Sequence, residues 1–290
     1  MPELPEVETV KRGLEKLIIG KTIAELDFDW PKGFPNAPED VNNFIIGSKI
    51  IAVRRRAKVL LIDLASKYTL VIHLKMTGQL VFVGKKRFGA GHPNDSLIGR
   101  LPDKSTRVTF SFSDGSHLYF NDQRKFGWVR LYPTIEVPNI DFFKRVGPEP
   151  LNADFKANDF ISRLQSRKNT SIKAALLDQS VIAGVGNIYA DESLWAAKIH
   201  PSSRVSAVSI AKLRTLYKEL KTVLELSIEK GGSTDRNYVN AEGKKGSYIS
   251  FARVFRREGT PCSRCATTIV KTRVAGRGTH ICPKCQKEVV

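Results

Sequence analysis

The chain has 290 residues, with 47 Lys and Arg against 29 Asp and Glu, a formal net charge of +18, and 41% hydrophobic residues. That length allows two or more domains with real cores, and the basic excess points to a polyanion partner, nucleic acid ahead of an anionic membrane surface. No apolar run approaches a membrane span and the acidic, amphipathic start does not read as a targeting peptide, so a soluble, reducing compartment (cytoplasm or nucleoid) is expected.

The charge is uneven. Residues 1–29 carry four basic and seven acidic side chains, a net of −3, whereas residues 230–290 carry thirteen and four, a net of +9. The opening is Met1-Pro2-Glu3. Initiator methionine is normally removed ahead of a small residue such as proline, which would leave a secondary amine at the start of the protein. An α-amino group has a pKa of roughly 7.7–8, against about 10.4 for lysine, so a useful fraction is neutral near physiological pH. Such an amine is a ready nucleophile for a carbon at the aldehyde oxidation level, and the resulting iminium is a good electron sink. The plainer reading is that Pro2 only begins a helix. From Pro5 to Ile18, the residues Val7, Val10, Leu14, Leu17 and Ile18 follow helical spacing, Glu6 and Glu8 suit the positive end of the dipole, and Gly20 closes the segment. The same dipole would oppose protonation of a nearby amine.

Strands are expected over 49–53, 59–64, 69–74 and 79–83. In Arg54-Arg55-Arg56-Ala57-Lys58, alternation would put Arg54, Arg56 and Lys58 on one face, either a solvated edge or a cationic row suited to a phosphate backbone. The glycine-rich stretch 84–100 reads as a loop or insertion with no assignable role. Two alternating runs, 107–112 and 117–121, meet at Asp114-Gly115, a strong hairpin signal. The first part of the chain is thus one helix followed by an antiparallel sandwich. Met76, Arg124 and Phe126 are unremarkable singly and matter only together, as wedges into a duplex.

Prolines over 133–150 mark a hinge, after which helices are expected at 155–164, 171–177, 187–197 and 206–230. Gly184-Val185-Gly186-Asn187 precedes the third. Its glycines could expose N–H groups to an anion, with Lys168 and Lys173 flanking, or Asn187 could be a simple N-cap. Residues 231–258 are polar and rich in Gly, Ser and Lys, a long loop that is either functional or disordered. All four cysteines fall in Cys262-x2-Cys265-x16-Cys282-x2-Cys285. This spacing favours one four-thiolate structural Zn2+ over two disulfides. Gly276-Arg277-Gly278 stands near the tip of the intervening hairpin, where Arg277 is either solvated or reaches a phosphate.

Taken in order, the opening MPELPEVETV, RRRAK at 54–58, HLKMTG at 73–78, Arg124-Lys125-Phe126-Gly127, GVGNIYADESLW at 184–195, Ile199-His200-Pro201 and the cysteine ribbon resemble the formamidopyrimidine-DNA glycosylase family over essentially the whole chain. The resemblance implies an α+β multidomain fold: an N-terminal helix plus antiparallel β-sandwich (1–133), a hinge (134–150), a helix–two-turn–helix domain (151–230), a lesion-capping loop and connector (231–258) and a C-terminal zinc ribbon (259–290), with DNA bound across the cleft between the two halves. It implies a monomeric glycosylase and abasic-site lyase acting on double-stranded DNA that contains oxidised purines or abasic sites, with no membrane partner. By this resemblance Pro2 attacks C1′, Glu3 is its acid partner, and Lys58 and Arg277 assist elimination. Met76, Arg124 and Phe126 fill the gap left by the flipped base, and Lys58, Lys168, Asn187 and Arg277 hold phosphates. Ser105 stands where the family commonly has a DNA-contacting histidine, with Lys104 or Arg107 as substitutes. Residues 84–100 are longer than the usual connection, and Asp235 and Arg236 depart from the common order of the capping loop. Two alternatives stand beside this reading. One is the sister endonuclease for oxidised pyrimidines, which usually has glycine where this chain has Leu4; the other is a non-catalytic zinc-ribbon DNA- or RNA-binding protein.

Overall fold

In the computed structural model, residues 2–92, 94–233 and 248–289 are described. The chain divides into two units, Met1–Lys144 with Lys230–Ser247, and Arg145–Glu229 with Tyr248–Val290.

The first unit begins with helix α1 (Leu4–Ile18), whose apolar stripe Leu4, Val7, Val10, Leu14 and Ile18 is fully buried. Pro5 falls in its first turn, where the missing N–H costs nothing. Gly20, at φ +87°, takes the chain out of the helix through a conformation that glycine adopts without penalty. On the flank, Glu8 accepts from Arg55 and Arg12, both at 2.9 Å. Burial pushes the Glu8 carboxyl up, but the two guanidinium groups outweigh it and hold it below the usual range.

Among its described residues nine strands follow: β1 (Ile23–Phe28), β2 (Ile50–Arg56), β3 (Val59–Leu64), β4 (Tyr68–His73), β5 (Gly78–Val83), β6 (Arg87–Gly91), β7 (Thr106–Phe112), β8 (His117–Asp122) and β9 (Trp128–Pro133). They form two antiparallel sheets, β1-β7-β8-β5-β6 and β2-β3-β4-β9. One apolar core, including Ile23, Val53, Leu60, Leu80, Phe88 and Phe110, joins both sheets to α1. Short helices α2 (Pro38–Asp40) and α3 (Asp141–Arg145) lie in connections.

The glycine-rich stretch 84–100 is not a plain loop. It contains β6, which pairs along β5 from Gln79↔Gly91 to Val83↔Arg87, and a 3-10 turn at Asp95–Leu97. Arg87 donates to the Ser96, Leu97 and Gly99 carbonyls and so closes the excursion on itself. Phe88 from this segment is 2% exposed and lies over Gly13 of α1, where an added Cβ would stand 2.0 Å from its Cζ.

The second unit holds α4 (Ala157–Gln165), α5 (Ile172–Leu177), α6 (Asn187–Ala196), α7 (Ile210–Glu229) and α8 (Tyr248–Phe251), then the hairpin β10 (Val270–Val274) and β11 (Arg277–Ile281). Leu213, Leu216, Leu220 and Leu224 of α7 pack with Tyr189, Ala190 and Leu194 of α6 in its core. Among the described residues no helix is long and apolar enough to cross a membrane.

Candidate active site and nucleic-acid-binding residues

Pro2 is buried, and Glu3, at 5% exposure, is the N-cap of α1. The Glu6 carboxylate, one turn on, accepts the Glu3 N–H at 2.8 Å through one oxygen and the Ser233 N–H at 2.7 Å through the other. A single acidic side chain thereby fixes both the backbone beside the Pro2 nitrogen and the start of the segment 231–248. Gly232 (φ +89°) passes so close that a Cβ would lie 3.2 Å from Glu6 Oε1. Residues 234–247, with Asp235 and Arg236, lie outside the described residues.

Met76 and Phe126 are large apolar side chains left 38% and 51% exposed. Arg124 stacks on the Phe126 ring, 4.7 Å from its centroid. The loops carrying them are held by Asp122, which is wholly buried. Its Oδ2 accepts the N–H groups of Phe126 (2.8 Å) and Gly127 (2.6 Å), and its Oδ1 accepts the Thr77 hydroxyl. The Thr77 oxygen accepts the Arg124 N–H in turn (3.1 Å). Sequence reasoning passed over both Asp122 and Thr77. The available signal was an acid at the end of a strand directly before an exposed turn.

The cationic row anticipated at 54–58 is not formed. Strand β2 ends at Arg56 and Ala57 turns at φ +54°, so Lys58 sits in the hairpin turn and is 6% exposed. Arg54 is taken by Asp63 in a two-pronged contact at 2.5 and 2.8 Å. The Val59↔His73 register instead places a buried imidazole beside this turn. Burial, then the charges of Lys75 and Lys58, lower the His73 pKa to about 3. Its Nδ1 accepts the Lys75 N–H (3.0 Å), so the proton of the neutral ring resides on Nε2.

Ser105 is 3% exposed, and its hydroxyl and N–H both go to Asp103 Oδ1 at 2.7 Å. Its side chain is therefore not presented to a ligand. Arg107 is buried as well, bonded to the Asp122 carbonyl at 2.9 Å, to Asp29 and to the Lys104 carbonyl. Of the two substitutes considered for Ser105, only Lys104 is exposed.

In the second unit, Gly186 is the N-cap of α6 and Asn187 its first helical residue, so Asn187 is not the cap. Its Nδ2 donates to the Gly278 carbonyl of the ribbon at 3.0 Å. Lys168 is exposed. Lys173, expected to flank an anion, is 0% exposed and paired with Asp191 at 2.6 Å. Glu192 is buried too and accepts the N–H groups of Arg253, Val254 and Phe255 at 2.8, 2.9 and 2.8 Å. Burial raises its pKa, and these three donors oppose that shift. The hairpin tip is Ala275-Gly276, both at positive φ, so Arg277 is the exposed first residue of β11 and not the apex.

The sulfur atoms of Cys262, Cys265, Cys282 and Cys285 lie within 4.8 Å of one another, with Cys265 at 3.4 Å from both Cys282 and Cys285. A tetrahedral zinc with bonds of about 2.3 Å sets its sulfurs about 3.8 Å apart. Burial and the neighbouring sulfurs push the Cys285 thiol up to about 12, a cost that a bound dication removes. The donor set fits one structural Zn2+ with no position left for a substrate.

Residues 1–129 match the formamidopyrimidine-DNA glycosylase N-terminal domain, 146–238 the formamidopyrimidine-DNA glycosylase H2TH domain, and 259–287 the zinc finger found in FPG and IleRS. A formamidopyrimidine-DNA glycosylase of Herpetosiphon aurantiacus is 45% identical over 288 residues, covering 99% of this chain and 100% of that protein. Two solved structures of Lactococcus lactis Fpg, one with DNA containing an abasic site and one with DNA containing N7-benzyl-Fapy-dG, each superpose with a TM-score of 0.86 at 34% identity, covering 99% of this chain and 100% of theirs.

Proposed function

The chain belongs to the formamidopyrimidine-DNA glycosylase family, DNA glycosylases of base excision repair, and from this we propose that it excises oxidised purines such as 8-oxoguanine and formamidopyrimidine from duplex DNA and then cleaves the strand at the abasic site. The observation that carries the reading is the Pro2-Glu3 pair at the N-terminus of a buried helix, in the same unit that exposes Met76 and Phe126.

The target nucleotide must leave the stack before its C1′ can be reached. Met76 and Phe126 enter the vacated space, and Arg124, braced on the Phe126 ring, faces the orphaned cytosine. Once Met1 is removed, the neutral Pro2 nitrogen forms a bond to C1′ while the bond from C1′ to the base breaks. The base leaves with the electron pair and takes up a proton. Glu3 supplies a proton to the ring oxygen as the sugar opens, and the proline nitrogen is left as an iminium. That cation acidifies C2′, so loss of a C2′ proton expels the 3′ phosphate and a second elimination expels the 5′ phosphate. Lys58 and Arg277 assist these steps, and Lys168 and Asn187 hold flanking phosphates. His73, with its proton on Nε2, adds a neutral donor beside Lys58. The zinc takes no part in this chemistry and serves to shape the ribbon that carries Arg277.

Borohydride trapping on a duplex with 8-oxoguanine opposite cytosine is the test, run on protein whose intact mass confirms loss of Met1. A covalent adduct that is diminished in Pro2→Gly, with its processed terminus confirmed, is expected, and an undiminished one would refute the mechanism. No adduct from correctly processed protein would overturn the mechanism. Cutting confined to duplexes with oxidised thymine would move the substrate to the pyrimidine class.

A further inference from the structure

Among the described residues of the second unit, a buried polar cluster joins α5 and α6 to the ribbon and contains none of the cysteines and none of the side chains assigned to the reaction. Lys173 of α5 and Asp191 of α6 are both 0% exposed, with Nζ and Oδ1 2.6 Å apart. The other carboxylate oxygen, Oδ2, accepts the His280 N–H at 2.9 Å and lies 3.1 Å from His280 Nδ1. Lys173 Nζ also reaches Thr279 Oγ1 at 2.7 Å and the Gly278 carbonyl at 3.3 Å. Its three ammonium protons are thereby matched to three acceptors. Thr279 is itself wholly buried and donates its hydroxyl proton to the Arg277 carbonyl at 3.0 Å. Asn187 Nδ2 meets the same Gly278 carbonyl from the first turn of α6. An unbroken path therefore runs from Asp191 through Lys173 and Thr279 to the main chain of Arg277.

We propose that Asp191, Lys173 and Thr279 are positioning residues, a buried relay that fixes the backbone at Arg277 and so aims its guanidinium at DNA phosphate. The proposal rests on the reading of Arg277 as a phosphate contact. Stability alone does not account for the cluster. An ion pair taken fully out of water costs more in lost hydration than it readily regains, and apolar side chains of like volume often hold an interface as well or better. Apolar packing lacks direction, however. It would seat the hairpin on α5 and α6 without specifying the orientation of one carbonyl, whereas a donor aimed at that carbonyl does specify it. Arg277 itself is exposed and gains nothing from core packing, so its approach to a ligand depends on how its backbone is held.

The test is affinity for a duplex carrying a tetrahydrofuran abasic analogue, measured on the full zinc-loaded chain for Thr279→Val, Thr279→Ser, Asp191→Ala and Arg277→Ala. Thr279→Val removes only the hydroxyl and is expected to weaken binding by up to about tenfold, while Thr279→Ser, which keeps it, stays within about twofold of the parent. Thr279→Val added to Arg277→Ala should cost nothing further, because the relay acts through that arginine. Should Arg277→Ala weaken binding while Thr279→Val and Asp191→Ala leave it intact, the relay is refuted and the phosphate reading survives. An unchanged affinity in Arg277→Ala would instead remove the reading itself and the relay with it. Additive losses in the double variant, or a fall in zinc retention and Tm that tracks the loss of binding, would make these residues structural and overturn the proposal.

Discussion

The Thr77 hydroxyl donates to the buried Asp122 carboxylate across 45 residues of sequence. Through that bond the loop carrying Met76 and the turn carrying Arg124 and Phe126 share one anchor. The anchor is a fully desolvated charge satisfied by one hydroxyl and by N–H groups at Arg124, Phe126 and Gly127. The backbones that carry two exposed apolar side chains are thereby fixed to each other.

Asp122→Ala would take the acceptor from the Thr77 hydroxyl and from the Phe126 and Gly127 N–H groups, whereas the Arg124 N–H keeps the Thr77 oxygen. Each orphaned donor costs roughly 1–3 kcal/mol before relaxation, so a total loss of about 2–4 kcal/mol is expected. Asp122→Asn keeps one oxygen but turns an NH2 toward N–H donors, and it should fall between parent and alanine. Thermal unfolding gives the order; a variant as stable as the parent would show that water can replace the carboxylate.

Gly13→Ala sets two effects against each other. Alanine is favoured over glycine within a helix by about 1 kcal/mol. Against this, the new Cβ would fall 2.0 Å from the Phe88 ring. Overpacking costs about 1–3 kcal/mol, and a contact this short falls in the upper half of that range, so the net change should be destabilising by about 1–2 kcal/mol. The double variant Gly13→Ala with Phe88→Leu should recover part of the loss in chemical denaturation, because the shorter side chain clears the methyl.

His73 gives a pH dependence of definite sign. Its folded pKa is lowered from the ordinary 6.5 to about 3, so the fold holds it neutral. Above about pH 6.5 neither folded nor unfolded chain protonates it and it costs nothing. As the pH falls from there toward 3, the unfolded chain takes up a proton that the folded one refuses, and stability drops by at most about 1.4 kcal/mol per pH unit. His73→Gln lacks this linkage. The stability gap between variant and parent should therefore shift in favour of the variant on going from pH 7 to pH 4. A gap independent of pH would mean that the ring titrates normally.

Removal of zinc by a strong chelator should release one equivalent of metal per chain. The four thiols then have no common counterion, and the hairpin with Arg277 loses its clamp. Lesion-DNA binding should be lost, while the near-ultraviolet signature of the sandwich, which has its own core, stays. Binding that survives complete metal loss would show that the hairpin is held by α5 and α6 alone.

What the sequence disclosed was local in character. Helix α1, the Asp114-Gly115 hairpin and the paired cysteines are written in spacings of two to four residues, and each formed where expected. The misses share one cause. Lys173 reads as a surface cation until Asp191, 18 residues on, folds against it, and Arg54 reads as a free charge until β3 brings Asp63 across. Strand β6 was hidden by its glycines. They lower strand propensity, yet a Cβ at Gly91 would lie 2.4 Å from the Gly78 carbonyl and one at Gly89 3.1 Å from Leu97, so the same residues permit the close approach. Met76, Arg124 and Phe126 were legible as a set, but their anchor was not, because the Asp122 carboxylate at the end of β8 reaches Thr77 across 45 residues as well as its own turn.

Phe126→Ala separates fold from function. The ring is 51% exposed, so its loss should change stability by no more than about 0.5 kcal/mol. If the ring fills the space of an extruded base, its removal forfeits roughly 1–3 kcal/mol of stacking at the moment of flipping, or about ten- to hundredfold in excision of 8-oxoguanine. Cleavage at a preformed abasic site should suffer less, since no base has to leave the stack there. Single-turnover rates on the two substrates provide the comparison. Equal losses on both would assign Phe126 to general DNA binding. A large fall in Tm would return it to the structural role that most phenylalanines have.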